Sequence, residues 1–194
     1  MVAVHCICDL LPKLTLSTHL TLVMHQREWS KTTNTGHLAL RSLTRSSFLL
    51  WGEEHHQAPP APDAIVMPGT RGYVLAPSGL PLTPERVAIM KQTPITLVVT
   101  DGSWRQATKM TRRIPVLREL TRIALPPGPL SEYRLRSEPH PEGLATFEAI
   151  ARTLGHLEGE DVQRALERPF LEMVRRTLMT RGEQDRLGEH APSD

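Results

Sequence analysis

Asp101-Gly102-Ser103-Trp104 follows the β-branched run Ile95-Thr-Leu-Val-Val99 and precedes a helically spaced segment that carries Arg105 and Lys109. A carboxylate at the carboxyl end of a buried strand, with a glycine to allow a tight turn, faces the crevice where open α/β sheets bind ligands. Its chemistry there is proton abstraction or the binding of a cationic group. The same four residues serve equally well as a helix start, with Asp101 or Ser103 as N-cap and Trp104 as core.

Two further segments carry chemical potential. His25-Gln-Arg-Glu-Trp-Ser-Lys-Thr-Thr-Asn-Thr-Gly36 follows the first apolar run. It places His25, Arg27 and Lys31 among small hydrogen-bonding side chains, ahead of a helix expected near His37, whose first N–H groups are free to meet an anion. An ordinary capping turn uses the same Thr and Asn residues, but the basic members suit phosphate. The third segment, Pro129 to Pro139, alternates Arg134 and Arg136 with apolar residues, which brings both guanidinium groups to one side of an extended chain. Pro139 and Gly143 then lead through a loop to a helix near Thr146.

Taken in order, the three segments resemble the DTW-domain family, the tRNA-uridine aminocarboxypropyltransferases. The family's His-x-x-Glu-x-x-Lys-x-Thr-Asn-Thr-Gly block stands here as His25, Glu28, Lys31, Thr33, Asn34, Thr35 and Gly36. Its strand ending in Asp-Gly-Thr-Trp is Asp101 to Trp104, with Ser103 for Thr. Its Tyr-x-Leu-Arg-x-x-Pro segment and the following Leu-Ser-Thr-x-Glu-Ala are Tyr133, Leu135, Arg136, Pro139, Leu144, Ala145, Thr146, Glu148 and Ala149. The resemblance runs from Cys6 to about Leu178.

It implies a SPOUT-like knotted α/β core, S-adenosylmethionine as donor, and N3 of a tRNA uridine as acceptor. Asp101 and Trp104 become the expected catalytic residues. Thr35, Gly36, Leu144 and Thr146 are expected around the adenosine, with Pro139 and Glu148 beside them and Asp101 and Trp104 touching donor as well. His25, Arg27, Lys31, Arg105, Lys109, Arg134 and Arg136 are expected to hold RNA. A methyltransferase using the same donor, or a non-catalytic RNA-binding module, are the other readings. Relatives open with Cys-x-x-Cys before Cys-x-Cys; only Cys6-Ile-Cys8 stands here, and with His5 it falls short of the four ligands of a closed zinc site, so zinc stays open. Ala145 replaces the usual Ser, removing an N-cap oxygen at a cost of about 0.5–2 kcal/mol unless Thr146 substitutes.

The elements that must position these residues are legible as short apolar runs. Leu20–Met24, Ser47–Trp51, Ala64–Met67, Ile95–Val99 and Arg122–Leu125 read as strands. Thr83-Pro84 opens a helix to about Lys91, Pro115 interrupts another, and Asp161 caps a long amphipathic helix that Gly182 closes. The fold class is α/β, a largely parallel sheet flanked by helices. The expected divisions are a Cys segment over 1–18, the catalytic domain over 19–181 and a disordered tail over 182–194.

At 194 residues, 39% hydrophobic and 23% charged, the chain suits one globular domain. No apolar run approaches a membrane span and no signal peptide is read, so a cytoplasmic monomer is expected. Net charge is only +2. Its distribution is uneven: between Trp104 and Arg136, eight basic residues face Glu119 and Glu132, whereas acids predominate after His156. A basic middle fits a bound polyanion, or a solvated face. The pair His55-His56 in the Pro-rich loop reads as solvated loop rather than metal ligands.

Overall fold

The first apolar run, His19–His25 (β1), is buried along its whole length, as a strand inside a parallel sheet must be. In the computed structural model, which describes residues 6–52, 58–135 and 143–187, it pairs with Ser46–Trp51 (β2) on one side. On the other side lies Ile95–Asp101 (β4), followed by Arg71–Pro81 (β3) and Thr121–Ala124 (β5). The order is β2-β1-β4-β3-β5, and every pairing is parallel.

Parallel neighbours require crossovers, and helices supply them. Gln26–Trp29 (α1) and Gly36–Ser42 (α2) join β1 to β2, and Pro62–Ile65 (α3) precedes β3. Pro84–Met90 (α4) leads into β4, while Trp104–Arg113 (α5) and Pro115–Glu119 (α6) lead into β5. Thr146–Glu158 (α7) and Glu160–Arg181 (α8) follow.

The period-two alternation of the strands divides the core. Leu20, Leu22, Met24, Leu97 and Val99 face the layer of α2, α4, α7 and α8, where Phe147, Ile150, Leu166 and Phe170 pack. Val23, Val74 and Val98 face Ile65, Met110, Ile114 and Leu117 on the other side. Burying each such side chain stabilises the fold by about 1.5–3 kcal/mol. Asp101 shares the parity of Leu97 and Val99, so it points toward α2 and α7.

Four of the expected strands form, with bounds moved by a residue or so. Ala64–Met67 does not. Pro62, free of any need to donate, starts the helical turn α3, and Val66 ends it. The fifth strand is β3, whose signal is weak because Pro77, Ser78 and Gly79 interrupt it; its pairing with β5 shifts between Leu75 and Leu80. Thr83 does cap α4, accepting from Arg86 N at 3.3 Å. Pro115 separates α5 from α6. Asp161 is not a cap: Gly159 holds the N-cap position of α8, and Asp161 pairs with Arg164 in the first turn. Gly182, at φ 71°, closes that helix in the left-handed region.

Both ends of the described chain pack on the sheet domain. Ile7 is buried in the larger core, and Leu14 bridges Leu43. Beyond Gly182, Gln184–Leu187 forms a 3-10 turn, and Arg134 Nη1 donates to Arg186 O at 2.8 Å. Among the described residues no helix is long and apolar enough to cross a membrane. His55 and His56 lie outside the described residues.

Candidate functional site

Parallel pairing sets Met24 opposite Asp101, so His25 lies one residue past it at the carboxyl edge of the sheet. Asp101 is only 4% exposed, and both of its oxygens are engaged. Oδ2 accepts from Asn34 Nδ2 at 2.6 Å, and Oδ1 accepts from Thr146 Oγ1 at 2.6 Å. Asn34 stands just before α2, and Thr146 is the first residue of α7. Three segments distant in sequence thus meet on one carboxylate. Burial pushes the Asp101 carboxyl above its ordinary value; the two hydrogen bonds oppose that shift, and nearby Glu28 adds to it. Gly36 makes the approach possible, because a Cβ there would lie 2.6 Å from Asp101 Oδ2 and 2.9 Å from Leu22 Cδ2.

The rest of the Asp-Gly-Ser-Trp turn divides its labour. Ser103 caps α5: its Oγ accepts from Gln106 N at 3.4 Å, and its N–H donates to Gln106 Oε1 at 2.7 Å. Gln106 Nε2 lies 3.3 Å from His25 Nδ1, which also accepts from Arg27 N at 3.2 Å. The Arg27 N–H can only donate, so Nδ1 acts there as an acceptor. Trp104 is not core: it stands 38% exposed at the start of α5. Asn34 stood in the family block without a site role of its own, and Gln106 was not singled out by sequence reasoning. Only the capping-box spacing of Ser103 and Gln106 could have flagged the latter.

The third segment is fastened to the first. Tyr133 Oη donates to Thr33 O at 2.6 Å and stacks on Phe170, and Thr35 Oγ1 accepts from Phe147 N at 3.3 Å. Glu148, 2% exposed, accepts from Glu132 N at 2.7 Å, Ser131 Oγ at 2.5 Å and Ala145 N at 2.9 Å. Burial raises its carboxyl, with the Ser131, Ala145 and Glu132 hydrogen bonds and the Arg152 charge acting against it. Half of a capping box is therefore made. The other half is missing, because Ala145 has no oxygen and the Thr146 hydroxyl is committed to Asp101. Thr35 and Gly36 are buried and Leu144 and Thr146 half-buried, with Gly36 and Thr146 directly beside the Asp101 carboxylate. Arg136 and Pro139 lie outside the described residues.

The expected phosphate-binding residues fall into two groups. Arg105 and Lys109 are exposed on α5, and Arg112 extends their row by one turn. Among the described residues no carboxylate forms an ion pair with these three. Arg27 and Lys31 are also exposed, Lys31 pairing with buried Glu28 at 2.6 Å. His25 is buried, and Arg134 is turned inward to Glu132 and the Arg186 carbonyl. On α8, by contrast, Arg175 and Arg176 both pair with Glu172, whose carboxyl they pull down to about 2.

Cys6 and Cys8 are exposed free thiols lying side by side, and among the described residues no group of three metal-binding side chains exists. Two thiols do not make a closed zinc site. Two surface clefts, of about 290 Å³ beside α4 and β5 and about 670 Å³ between α4 and α7, lie away from Asp101.

A family model described as the DTW domain matches residues 1–178. The chain belongs to the DTW domain family. It is 30% identical over 200 residues to tRNA-uridine aminocarboxypropyltransferase A of Arabidopsis thaliana, covering 88% of this chain and 75% of that protein. It is 25% identical over 170 residues to tRNA-uridine aminocarboxypropyltransferase 2 of Macaca fascicularis, covering 85% of this chain. There it spans little more than half of the relative's length, 57%. Among solved structures, the SAM-dependent rRNA:acp-transferase Tsr3 from Vulcanisaeta distributa shares the fold at a TM-score of 0.55 and 17% identity, covering 87% of this chain and 82% of that one.

Proposed function

We propose that this DTW domain transfers the 3-amino-3-carboxypropyl group of S-adenosylmethionine to N3 of a uridine in tRNA. The observation that carries the reading is the convergence of all three family segments on Asp101, through Asn34 and Thr146. The relatives' names and the shared fold support it, and a knotted, SPOUT-like core belongs to the same reading.

The chemistry asks for two things. The methylene carbon beside the sulfonium, rather than the methyl, must be aimed at the nucleophile, and uracil N3 must lose its proton. As N3 bonds to that carbon, the carbon–sulfur bond breaks and its electron pair stays on sulfur, releasing methylthioadenosine. Positioning supplies much of the acceleration, and the Thr33–Gly36 loop, Leu144 and Thr146 form the wall that aims the donor. Asp101 takes the N3 proton. A carboxyl raised by burial is suited to that role near neutral pH, because general bases work best when their pKa approaches the operating pH. Trp104, exposed at the start of α5 three residues past Asp101, packs against the donor or the reacting base. The row Arg105, Lys109 and Arg112, which forms no ion pair among the described residues, receives RNA phosphates, as do Arg27 and Lys31 after β1. Glu148 and Arg134 serve by shaping the loop over residues 131–135 instead of touching either substrate.

The test is incubation with unmodified tRNA and S-adenosylmethionine, followed by mass spectrometry of the nucleosides and by-product. A uridine heavier by one aminocarboxypropyl group, with methylthioadenosine released, is expected. S-adenosylhomocysteine as by-product would replace the reading with methyl transfer, and no product at all would leave an RNA-binding module.

A further inference from the structure

Trp29 and Phe48 are 44% and 47% exposed, yet they do not stand singly. Their rings stack with centroids 5.1 Å apart and an interplanar angle of 10°. His37 meets Trp29 edge-on at 4.8 Å, and its Nε2 lies 3.2 Å from the Trp29 carbonyl oxygen. Isolated apolar residues on a surface need no explanation, but a fixed, stacked pair left half open to water does.

We propose that this pair is a stacking platform for an unpaired nucleobase of the RNA acceptor, next to the nucleotide that reacts. Two observations point there. Trp29 ends α1, the turn that begins directly after His25, so the platform adjoins the edge of the sheet that holds Asp101. Among the charged residues of 26–31, Arg27 and Lys31 are exposed, whereas Glu28 is 4% exposed and takes Lys31 Nζ at 2.6 Å, so the outward face of this turn carries net positive charge. A half-open aromatic surface flanked by outward positive charge is the arrangement with which single-stranded nucleic acid is bound, bases on rings and phosphates on cations. Holding the rings by one another and by His37 fixes their orientation before RNA arrives, so little freedom is lost on binding. A base splayed out to react leaves neighbours unstacked, and such a neighbour needs a new surface.

The inference rests on the tRNA reading above, and its test separates the two. Wild type, Trp29→Leu and Trp29→Phe are compared with unmodified tRNA by filter retention, with S-adenosylmethionine by calorimetry, and in steady-state transfer. Trp29→Leu should weaken RNA binding about five- to a hundred-fold and raise KM for tRNA by a similar factor. It should leave kcat and donor affinity unchanged, and Trp29→Phe should retain most of the RNA affinity. RNA affinity equal to wild type in Trp29→Leu would overturn the platform while the transfer reading stands. A fall in kcat or donor affinity without a fall in RNA affinity would also overturn it, making Trp29 a support of the His25 loop. Wild-type protein with no affinity for tRNA would remove the transfer reading, and the platform with it.

Discussion

Asp101 and Glu148 are both buried carboxylates, both pushed upward by desolvation, and both sit beside the same loops. Their partners differ. Glu148 takes two backbone N–H groups and one hydroxyl, all from the chain on either side of the 136–142 segment. Among the described residues Asp101 takes side-chain donors alone, Asn34 and Thr146, from two different layers of the site. Backbone donors bound to a carboxylate fix the path of the chain. Side-chain donors can turn aside and leave the oxygens to something else. On the proposed reading, Glu148 builds the wall and Asp101 does the chemistry inside it.

The largest effect expected from breaking that contrast is at Asp101. Replacing it with Asn should cut transfer about 10²–10⁴-fold, as loss of a general base does, with the protein still folded. Nucleoside mass spectrometry on unmodified tRNA measures this, and product formation near wild type would end the base assignment. Gly36→Ala comes next. Its Cβ would crowd Asp101 and Leu22, and a displaced catalytic group should cost on the order of 10²-fold in kcat. A Gly36→Ala protein of wild-type activity would show that the close approach is dispensable.

Glu148→Ala should act on stability first. It strands the buried N–H of Ala145 and the part-buried N–H of Glu132 and hydroxyl of Ser131, costing about 2–3 kcal/mol in urea unfolding, whereas Glu148→Gln keeps an acceptor and should cost about 1 kcal/mol. Equal losses in the two variants would argue against the clamp.

A pH series sharpens the Asp101 side. Its carboxyl is raised in the folded state, so the folded protein holds the proton more firmly than the unfolded chain does. The associated stability is fully present below the ordinary value of 3.8 and is lost as pH rises through the folded value. The stability of Asp101→Asn relative to wild type should therefore climb as pH rises from about 4 toward the folded value, and a flat difference would count against a raised carboxyl. The smallest effect is a gain. Ala145→Ser supplies the missing half of the box opposite Glu148 and should stabilise by about 0.5–1 kcal/mol without changing kcat. Calorimetric melting detects it, and no gain would mean that the start of α7 is already satisfied.

Much of this was written in the chain. Runs of β-branched and apolar residues gave four strands correctly, since a strand buried on both faces needs little beyond hydrophobicity and length. Thr83-Pro84, Pro115 and Gly182 marked helix limits by rules that act within a few residues. The three motifs, in order, carried the resemblance to the DTW family, and the position of Asp101 at a strand end followed from its neighbours alone. β3 escaped because Pro77 and Gly79 disrupt its alternation, and only pairing with β4 and β5 makes it a strand.

What tertiary structure decided was which side chains meet. Asn34 and Thr146, 67 and 45 residues from Asp101, became its donors. Arg134, expected to reach phosphate, turned inward once the turn after α8 brought the Arg186 carbonyl to it. Trp29 found Phe48 across α1 and β2, making a surface where the sequence shows two unremarkable apolar residues. Local pattern specifies elements because its forces act over a turn of helix or a pair of strand residues. Partners drawn from separate layers are fixed only when the sheet order brings those layers together.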